Sequence, residues 1–255
     1  MSCRDTGGNI LPEYSPQAGQ VGYGFSIGIL CLECNIPFIP GDVGNASTYD
    51  FPVQYRVVPG ATTDAIVKRQ DPTLGEEIVR CARDLVGQGV KAITGDCGYL
   101  GIYQRVVAES VPVPVFMSSL MQVPLIRAML GSERQLGVMV ANGQGVSDSL
   151  LARVGLEDTS RLVFRGLEDR QHWIEVIFEE KVPLDEERMT QEVVETALEM
   201  QREAPDLGAI LLECSDLPPY SAAVQRATSL PVFDWIGFIN YVHHAVVRRP
   251  YGGFF

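Results

Sequence analysis

Residues 92–100, "AITGDCGYL", run from an apolar segment through a glycine and an acid into a cysteine. A second stretch, "AILLECSDL" at 209–217, has the same design. With Cys97 set against Cys214, 117 residues apart, Ala92 falls on Ala209 and Ile93 on Ile210. Pro114-Val115-Phe116 then falls on Pro231-Val232-Phe233 at the same offset. Each unit reads as strand, cysteine, short helix, Pro-Val-Phe strand. Spacing kept over this length points to a duplicated unit rather than a general likeness between two segments. "IGIL" at 27–30 and "LGVMV" at 136–140 extend the correspondence toward the N-terminal side.

A cysteine that only fills a core belongs inside the apolar run. Both of these stand where the run ends and a turn begins. In open α/β sheets that is where ligands bind, at the carboxyl ends of the strands.

Outward from these two stretches, strand-like and helix-like segments alternate. Strands are predicted at 25–32, 90–95, 113–119, 135–143, 161–167, 207–214 and 230–235. Helices are predicted at 73–89, 101–110, 146–156, 184–204, 221–228 and 236–249. In the first helix Ile78, Cys81, Ala82 and Leu85 share one stripe, which places Cys81 in the core. Alternation of this kind implies parallel sheets covered on both faces. The expected fold is α/β, two pseudo-symmetric lobes with parallel sheets flanked by helices and an active site in the cleft between them. An arm covers 1–24, the first lobe 25–130 with Cys97, the second lobe 131–235 with Cys214, and a closing helix and tail 236–255. That last helix is expected to complete the first lobe.

The chain has 255 residues, 46% of them hydrophobic, and a formal net charge of -12. Such an acidic surface repels phosphate backbones and anionic lipid heads, so neither nucleic acid nor membrane is an expected partner. No apolar run approaches the ~20 residues of a membrane helix. The polar opening "MSCRDTGGNILPEYSPQAGQ" lacks the apolar centre of a signal peptide, and a cytoplasmic location is expected. Cys3, Cys31, Cys34, Cys81, Cys97 and Cys214 are then expected as free thiols. A homo-oligomer is expected, because the hydrophobic fraction and the arm leave apolar surface to cover.

A thiolate at a helix N-terminus is stabilised by free N–H groups and the helix dipole. Two thiols facing one carbon can remove a proton from one side and return one from the other. One thiol alone can instead drive β-elimination. Either path needs the carbanion's charge held by fixed donors, for which the backbone N–H groups of Gly98, Tyr99 and Ser215 are candidates. Asp96 and Glu213 precede the two cysteines, and a neighbouring negative charge opposes the dipole by raising a thiol pKa.

Other motifs are weaker. "CLEC" (31–34) has CxxC spacing but no second pair, and reads as structural lining near the cleft. His172, His243 and His244 have no ligand-spaced neighbours and read as non-catalytic; no metal site is expected. "ANGQG" (141–145) lacks the Lys-Ser/Thr of a phosphate loop and reads as a substrate-side turn. Asp42 and Asp50 flank a Gly/Pro-rich loop, 37–60, of the length of lids, active-site walls or oligomer contacts.

A duplicated α/β unit with one cysteine per half resembles the aspartate/glutamate racemase superfamily, and the likeness covers the chain from about residue 25. The resemblance implies a cofactor-independent enzyme acting on a small carboxylate. Amino-acid racemases of that superfamily carry Asn-Thr after the first cysteine and Thr-Glu or Thr-His after the second. Here Gly98-Tyr99 and Ser215-Asp216 stand there. "ITGDCGY" (93–99), "PVFMSSLMQVP" (114–124), "VANG" (140–143), "AILLECSDLPPYSAAVQRATSLPVFD" (209–234) and "PGDVGNASTYDFPVQYRVVPGAT" (40–62) are similar to Alma-type dimethylsulfoniopropionate (DMSP) lyases. That likeness implies a thiolate base that removes the proton α to the carboxylate, with Cys214 favoured as base and Cys97 as partner. Tyr49, Tyr99 and Tyr220 are candidates to face the sulfonium. Ser118, Ser119, Gln122 and Asn142 are candidates for the carboxylate. A racemase or epimerase of an amino acid, hydantoin or other small carboxylate, and a non-catalytic carboxylate-binding protein, are the competing readings.

Overall fold

The computed structural model describes residues 13–254. The first half of the expected arm, Cys3 with it, lies outside the described residues.

Among the described residues, eight strands form two separate four-stranded sheets. The first holds β1 (Ile27–Cys31), β2 (Val53–Val57), β3 (Ala92–Gly95) and β4 (Val115–Phe116) in the order β2-β1-β3-β4. The second holds β5 (Gln135–Val140), β6 (Leu162–Gly166), β7 (Leu207–Leu212) and β8 (Val232–Phe233) in the order β6-β5-β7-β8. Every pairing is parallel.

The registers carry the duplication further than the sequence does. Ile27 pairs with Val53 and Leu136 with Leu162, 26 residues apart in each half. Ile93 pairs with Val115 and Ile210 with Val232, 22 apart in each half. The halves differ between their first and third strands: Ile27 pairs with Ala92, 65 apart, and Leu136 with Ala209, 73 apart. That longer crossover contains the longer helix.

The helices are α1 (Gly75–Gly87), α2 (Gln104–Ala108), α3 (Val123–Met129), α4 (Asp148–Arg153), α5 (Gln171–Trp173), α6 (Glu186–Glu203), α7 (Ser221–Thr228) and α8 (Trp235–Val246). In α1, Ile78, Cys81, Ala82 and Leu85 are all fully buried, as their spacing predicts. Helix α6 starts on Asp185, whose carboxylate accepts from the backbone N–H groups of Glu187 and Arg188. Helix α8 starts on Asp234, whose carboxylate accepts from Gly237 N at 2.7 Å. Trp235 and Ile239 of α8 pack with Ile27, Ile29, Ala92 and Phe116 of the first sheet. The Trp235 indole N–H donates to Thr94 Oγ1 at 3.2 Å, so the burial of its ring leaves no unpaired donor. No helix among the described residues is long and apolar enough to cross a membrane.

Three expectations change. The segment 37–60 is not a single loop, because β2 lies within it. Its residues are only half-buried at the sheet edge, so they lack the continuous apolar run that marks the central strands. The predicted strands 113–119 and 230–235 shrink to two residues each, also at sheet edges. The helix at 101–110 opens as a 3₁₀ helix, Gly98–Tyr103, before α2.

Each half also contains a π-helical turn after its second strand, Asp64–Lys68 and Ile174–Phe178. Each turn is followed by a left-handed residue, Gln70 (φ 46) and Glu180 (φ 53). Left-handed backbone costs a side-chain-bearing residue roughly 1–2 kcal/mol, and both side chains reach into the other half. Gln70 Nε2 donates to Gly145 O at 2.6 Å, and Ser147 Oγ donates to Gln70 Oε1 at 2.8 Å. Asn35 N donates to Glu180 Oε2 at 2.7 Å, and Thr63 Oγ1 to Glu180 Oε1 at 3.4 Å. These are two latches related by the duplication. Replacing Gln70 and Glu180 together by alanine keeps the backbone cost and removes the bonds. It is expected to lower the unfolding free energy by about 2–4 kcal/mol in a urea melt. An unchanged midpoint would mean the latches hold nothing.

Candidate active site

The strands of both sheets deliver their carboxyl ends to one small cavity of about 30 Å³. From the first half it is lined by Cys34, Phe38, Asp96 and Cys97, among others, and from the second by Ala141, Phe178, Cys214, Ser215 and Asp216. The two cysteines of the repeat therefore line the same space, with Cys214 buried and Cys97 partly open.

The backbone brings them there in the same way. Asp96 N donates to Leu30 O at 3.0 Å and Glu213 N to Met139 O at 2.8 Å. Each bond ties the acid before a cysteine to the end of the neighbouring strand. The acids then diverge. The Asp96 carboxylate accepts from Leu32 N at 3.0 and 3.2 Å, inside its own half. The Glu213 carboxylate crosses over and accepts from Ser118 Oγ at 3.1 Å. A Cβ on Gly98 would stand 1.6 Å from Glu213 Oε1, so only glycine after Cys97 leaves room for that carboxylate.

Several candidate binding side chains join the two halves. Ser119 Oγ donates to Glu213 O at 2.9 Å, Ser215 Oγ donates to Asp96 O, and Gln122 Nε2 donates to Asp234 O at 3.1 Å. The Tyr99 hydroxyl donates to Asn142 O at 2.5 Å and accepts from Asn142 N at 3.0 Å. The Asn142 side chain caps the turn at 143–145 by accepting from Gln144 N. Tyr49 donates to Val43 O and packs with Phe51 and Trp235, away from the cavity lining. Tyr220 is buried at the start of α7 and is likewise outside that lining. Of the candidates, Cys97, Cys214 and Ser215 line the cavity itself.

The remaining motifs resolve simply. Cys31 is buried at the end of β1, and Cys34 lines the cavity. His172 Nε2 accepts from Asp185 N, and His243 stacks on Phe51 at 3.5 Å between ring centroids. Among the described residues no group of three or more His, Cys, Asp or Glu is arranged to hold a metal ion.

Electrostatics at the strand ends decide between the dipole and the acids. Burial first, and then the Asp96 charge, push the Cys97 thiol well above its ordinary pKa, against the Tyr99 backbone N–H. Burial and Asp216 do the same to Cys214, against the Asp216 backbone N–H. Burial also raises Asp96 and Glu213, each to about 7. The 3₁₀ turns are too short to overcome these effects, and both thiols rest protonated at neutral pH.

The sequence reading missed the role of Asp216 and of Asp42, which comes from the loop before β2. Cys214 Sγ donates to Asp216 Oδ2 at 3.3 Å. Val43 N donates to Ser215 O at 3.3 Å, which brings the Asp42 segment beside that of Asp216, and Asp42 is pushed well up by burial and then by the Asp216 charge. Asp42 Oδ1 accepts from Gly44 N at 2.7 Å. The position of Asp216, two residues after the cysteine, was a visible signal. Its pairing with a residue 174 positions earlier was not.

Two four-stranded parallel sheets with matched strand ends define the Asp/Glu racemase-like fold. Solved structures with this architecture include the Gly74Cys mutant of arylmalonate decarboxylase in its sulfate-associated form (TM-score 0.60, 21% identity, covering 86% of this chain and 93% of that one). Allantoin racemase from Pseudomonas fluorescens is also similar (TM-score 0.59, 16% identity, 87% and 91% covered). No family model matches the chain. Among curated relatives, the chain is 32% identical over 234 residues to the dimethylsulfoniopropionate lyase of Durusdinium sp. clade D, covering 88% of this chain and 76% of that protein. It is 32% identical over 232 residues to dimethylsulfoniopropionate lyase 3 of Emiliania huxleyi (strain CCMP1516), of whose length it spans 61%. The chain belongs to the dimethylsulfoniopropionate lyase family.

Proposed function

We propose that this chain cleaves DMSP by β-elimination, with Cys214 as the base and Cys97 as its partner. Cys214 takes the proton α to the carboxylate. The electrons of that C–H bond form the double bond of acrylate, and the β-carbon–sulfur pair leaves with neutral dimethyl sulfide. The observation that carries this reading is the similarity to DMSP lyases across 88% of the chain. The chemistry of the cavity supports it, since Asp96 and Asp216 line it and no Lys or Arg among the described residues does. Such walls oppose a dicarboxylate and favour a substrate that carries a cationic sulfonium.

DMSP has eight non-hydrogen atoms, more than a space of about 30 Å³ accepts. The walls that must give way include the two π-helical turns, through Val67, Ile177 and Phe178. The latches follow directly after those turns.

Incubation with DMSP should release dimethyl sulfide and acrylate in equal amounts. No release at high enzyme concentration would overturn the reading. Exchange of an α-proton in deuterated water without dimethyl sulfide would favour the racemase or epimerase instead. A cytoplasmic homo-oligomer is part of this proposal, supported by the unpaired Cys31, Cys34, Cys81, Cys97 and Cys214 and by exposed Leu125 and Met129 on α3. Size-exclusion chromatography and cell fractionation test it.

A further inference from the structure

A base must be free of its proton before it can accept one, and the surroundings of Cys214 hold its proton on. Its thiol is buried among acids, and among the described residues no Lys, Arg or His lines the cavity to stabilise a thiolate. What the structure provides is a proton acceptor, Asp216 Oδ2 at 3.3 Å from Cys214 Sγ. The other oxygen, Asp216 Oδ1, is buried with no N–H, hydroxyl or thiol donor among the described residues, which leaves it open to a protonated carboxyl group. The nearby Asp42 is itself buried and fixed by Gly44 N. Two neighbouring carboxyl groups cannot both ionise cheaply. Burial, and then the Asp216 charge, push Asp42 well up, which makes Asp42 the group suited to hold a proton while Asp216 faces the thiol.

We propose that Asp216 accepts the Cys214 thiol proton, so that the working base is a Cys214–Asp216 unit, and that Asp42 positions Asp216 by donating a hydrogen bond to it. The inference rests on Cys214 being the base.

The proton balance closes. The thiol proton moves from Sγ to Asp216, leaving a thiolate and a neutral acid. The thiolate takes the substrate's α-proton and becomes a thiol again. DMSP is neutral overall, and its products are neutral dimethyl sulfide, acrylate with one negative charge, and one proton. That proton is the one on Asp216, which passes to solvent when the products leave. Neither metal nor redox partner takes part in this balance.

The transfer from thiol to Asp216 changes no net charge, so the fraction of thiolate does not depend on pH once Asp216 is ionised. A thiol without such an acceptor gives up its proton to solvent, and its thiolate rises tenfold per pH unit. The titratable groups facing Asp216 are Asp42, Cys214, Asp96, Cys97, Cys34 and Tyr220. None of them other than Asp216 receives a hydrogen bond from the Cys214 sulfur.

The experiment is alkylation of Cys214 by iodoacetamide between pH 7 and pH 9, in the full chain carrying Cys97→Ala and followed by mass spectrometry of the Cys214 peptide. With Asp216 present the rate should be nearly flat. With Asp216→Asn it should rise close to tenfold per pH unit. A rate as steep with Asp216 as without it, or as flat in the Asn variant, would overturn the inference. Asp42→Asn keeps a donor toward Asp216 and should leave the profile flat, whereas Asp42→Leu should make it slope. A flat profile in Asp42→Leu would remove Asp42 from the proposal. These readings need no DMSP, so they stand or fall separately from the lyase activity. In the turnover assay Asp216→Asn should lower kcat by about 10²-fold or more with KM within about threefold. An increase in kcat would mean that Asp216 acts only as a charge that raises the thiol pKa.

Discussion

Cys214→Ala is expected to lower the release of dimethyl sulfide from DMSP by about 10³–10⁴-fold, the contribution of a positioned general base. Cys214→Ser tests whether the thiol itself is needed. Its hydroxyl keeps a hydrogen bond to Asp216, but it ionises far less readily than a thiol, so kcat should fall nearly as far as in the alanine variant. Cys97 has a different expected weight. Elimination removes one proton and returns none to carbon, because the leaving sulfur departs neutral. The second thiol then shapes and polarises the site rather than transferring a proton in each cycle. Cys97→Ala should cost about 10–10²-fold, clearly less than Cys214→Ala. Racemisation makes the opposite demand, since both faces need a proton carrier and the two variants should then be equally damaging. Equal losses would overturn the assignment of a single base, and a greater loss from Cys97→Ala would reverse it. Circular dichroism must show each variant folded, which is expected because both side chains lie at strand ends and not among the large buried residues.

The fold was readable because its strongest signal is a repeat. Cys97 and Cys214, with Pro-Val-Phe at a fixed distance after each, locate the third and fourth strands of both sheets. The edge strand β2 was not readable, since a half-buried strand among glycines and prolines has neither the continuous apolar run nor the flanks of a central one. The site was legible where it is local. Cys97, Cys214 and Ser215 stand where a strand ends, and strand ends point into the cavity. What was not legible is how the polar side chains around them are spent. Ser118, Ser119 and Tyr99 look like ligand contacts from their positions after strands. In the folded chain their hydroxyls join one half to the other. Nor can a sequence show that Asp42 meets Asp216, because that contact depends on how a loop folds back over the second sheet.

Three buried acids, Asp42, Asp96 and Glu213, and the half-buried Asp216 should also make the protein markedly less stable at pH 8 than at pH 5. Asp96 rises from 3.8 to about 7 and Glu213 from 4.5 to about 7, in both cases chiefly through loss of hydration. Asp42 and Asp216 are raised as well, by burial first. The sign follows from proton binding. Between pH 4 and pH 7 the folded chain holds protons that the unfolded chain has released, so stability falls as pH rises. The contribution is complete below about pH 4 and is lost as pH passes through 7. For Asp96 the change from 3.8 to about 7 corresponds to roughly 4 kcal/mol, and the whole effect is several kcal/mol. The net charge of -12 acts in the same direction through self-repulsion.

Other groups define the range in which this is seen. Asp71, Glu77 and Asp158 are lowered by hydrogen bonds and by nearby arginines, with Asp158 at about 2. Their favourable contributions are lost only in more acidic solution. His243 is lowered by burial, by His244 and by Arg249, so it gains stability as pH rises through 6.5. It is one group against four. Urea melts at pH 5 and pH 8 should therefore give a lower midpoint at pH 8. Glu213→Gln should flatten the difference, since a neutral amide keeps an acceptor for Ser118 and nothing on it ionises. Asp96→Asn keeps one acceptor for Leu32 N and should flatten it further. Equal stability at the two pH values, or a rise toward pH 8, would mean that these acids ionise freely in the fold. The strand ends would then be wetter than their burial implies, and the cavity between the two thiols would already be open to solvent.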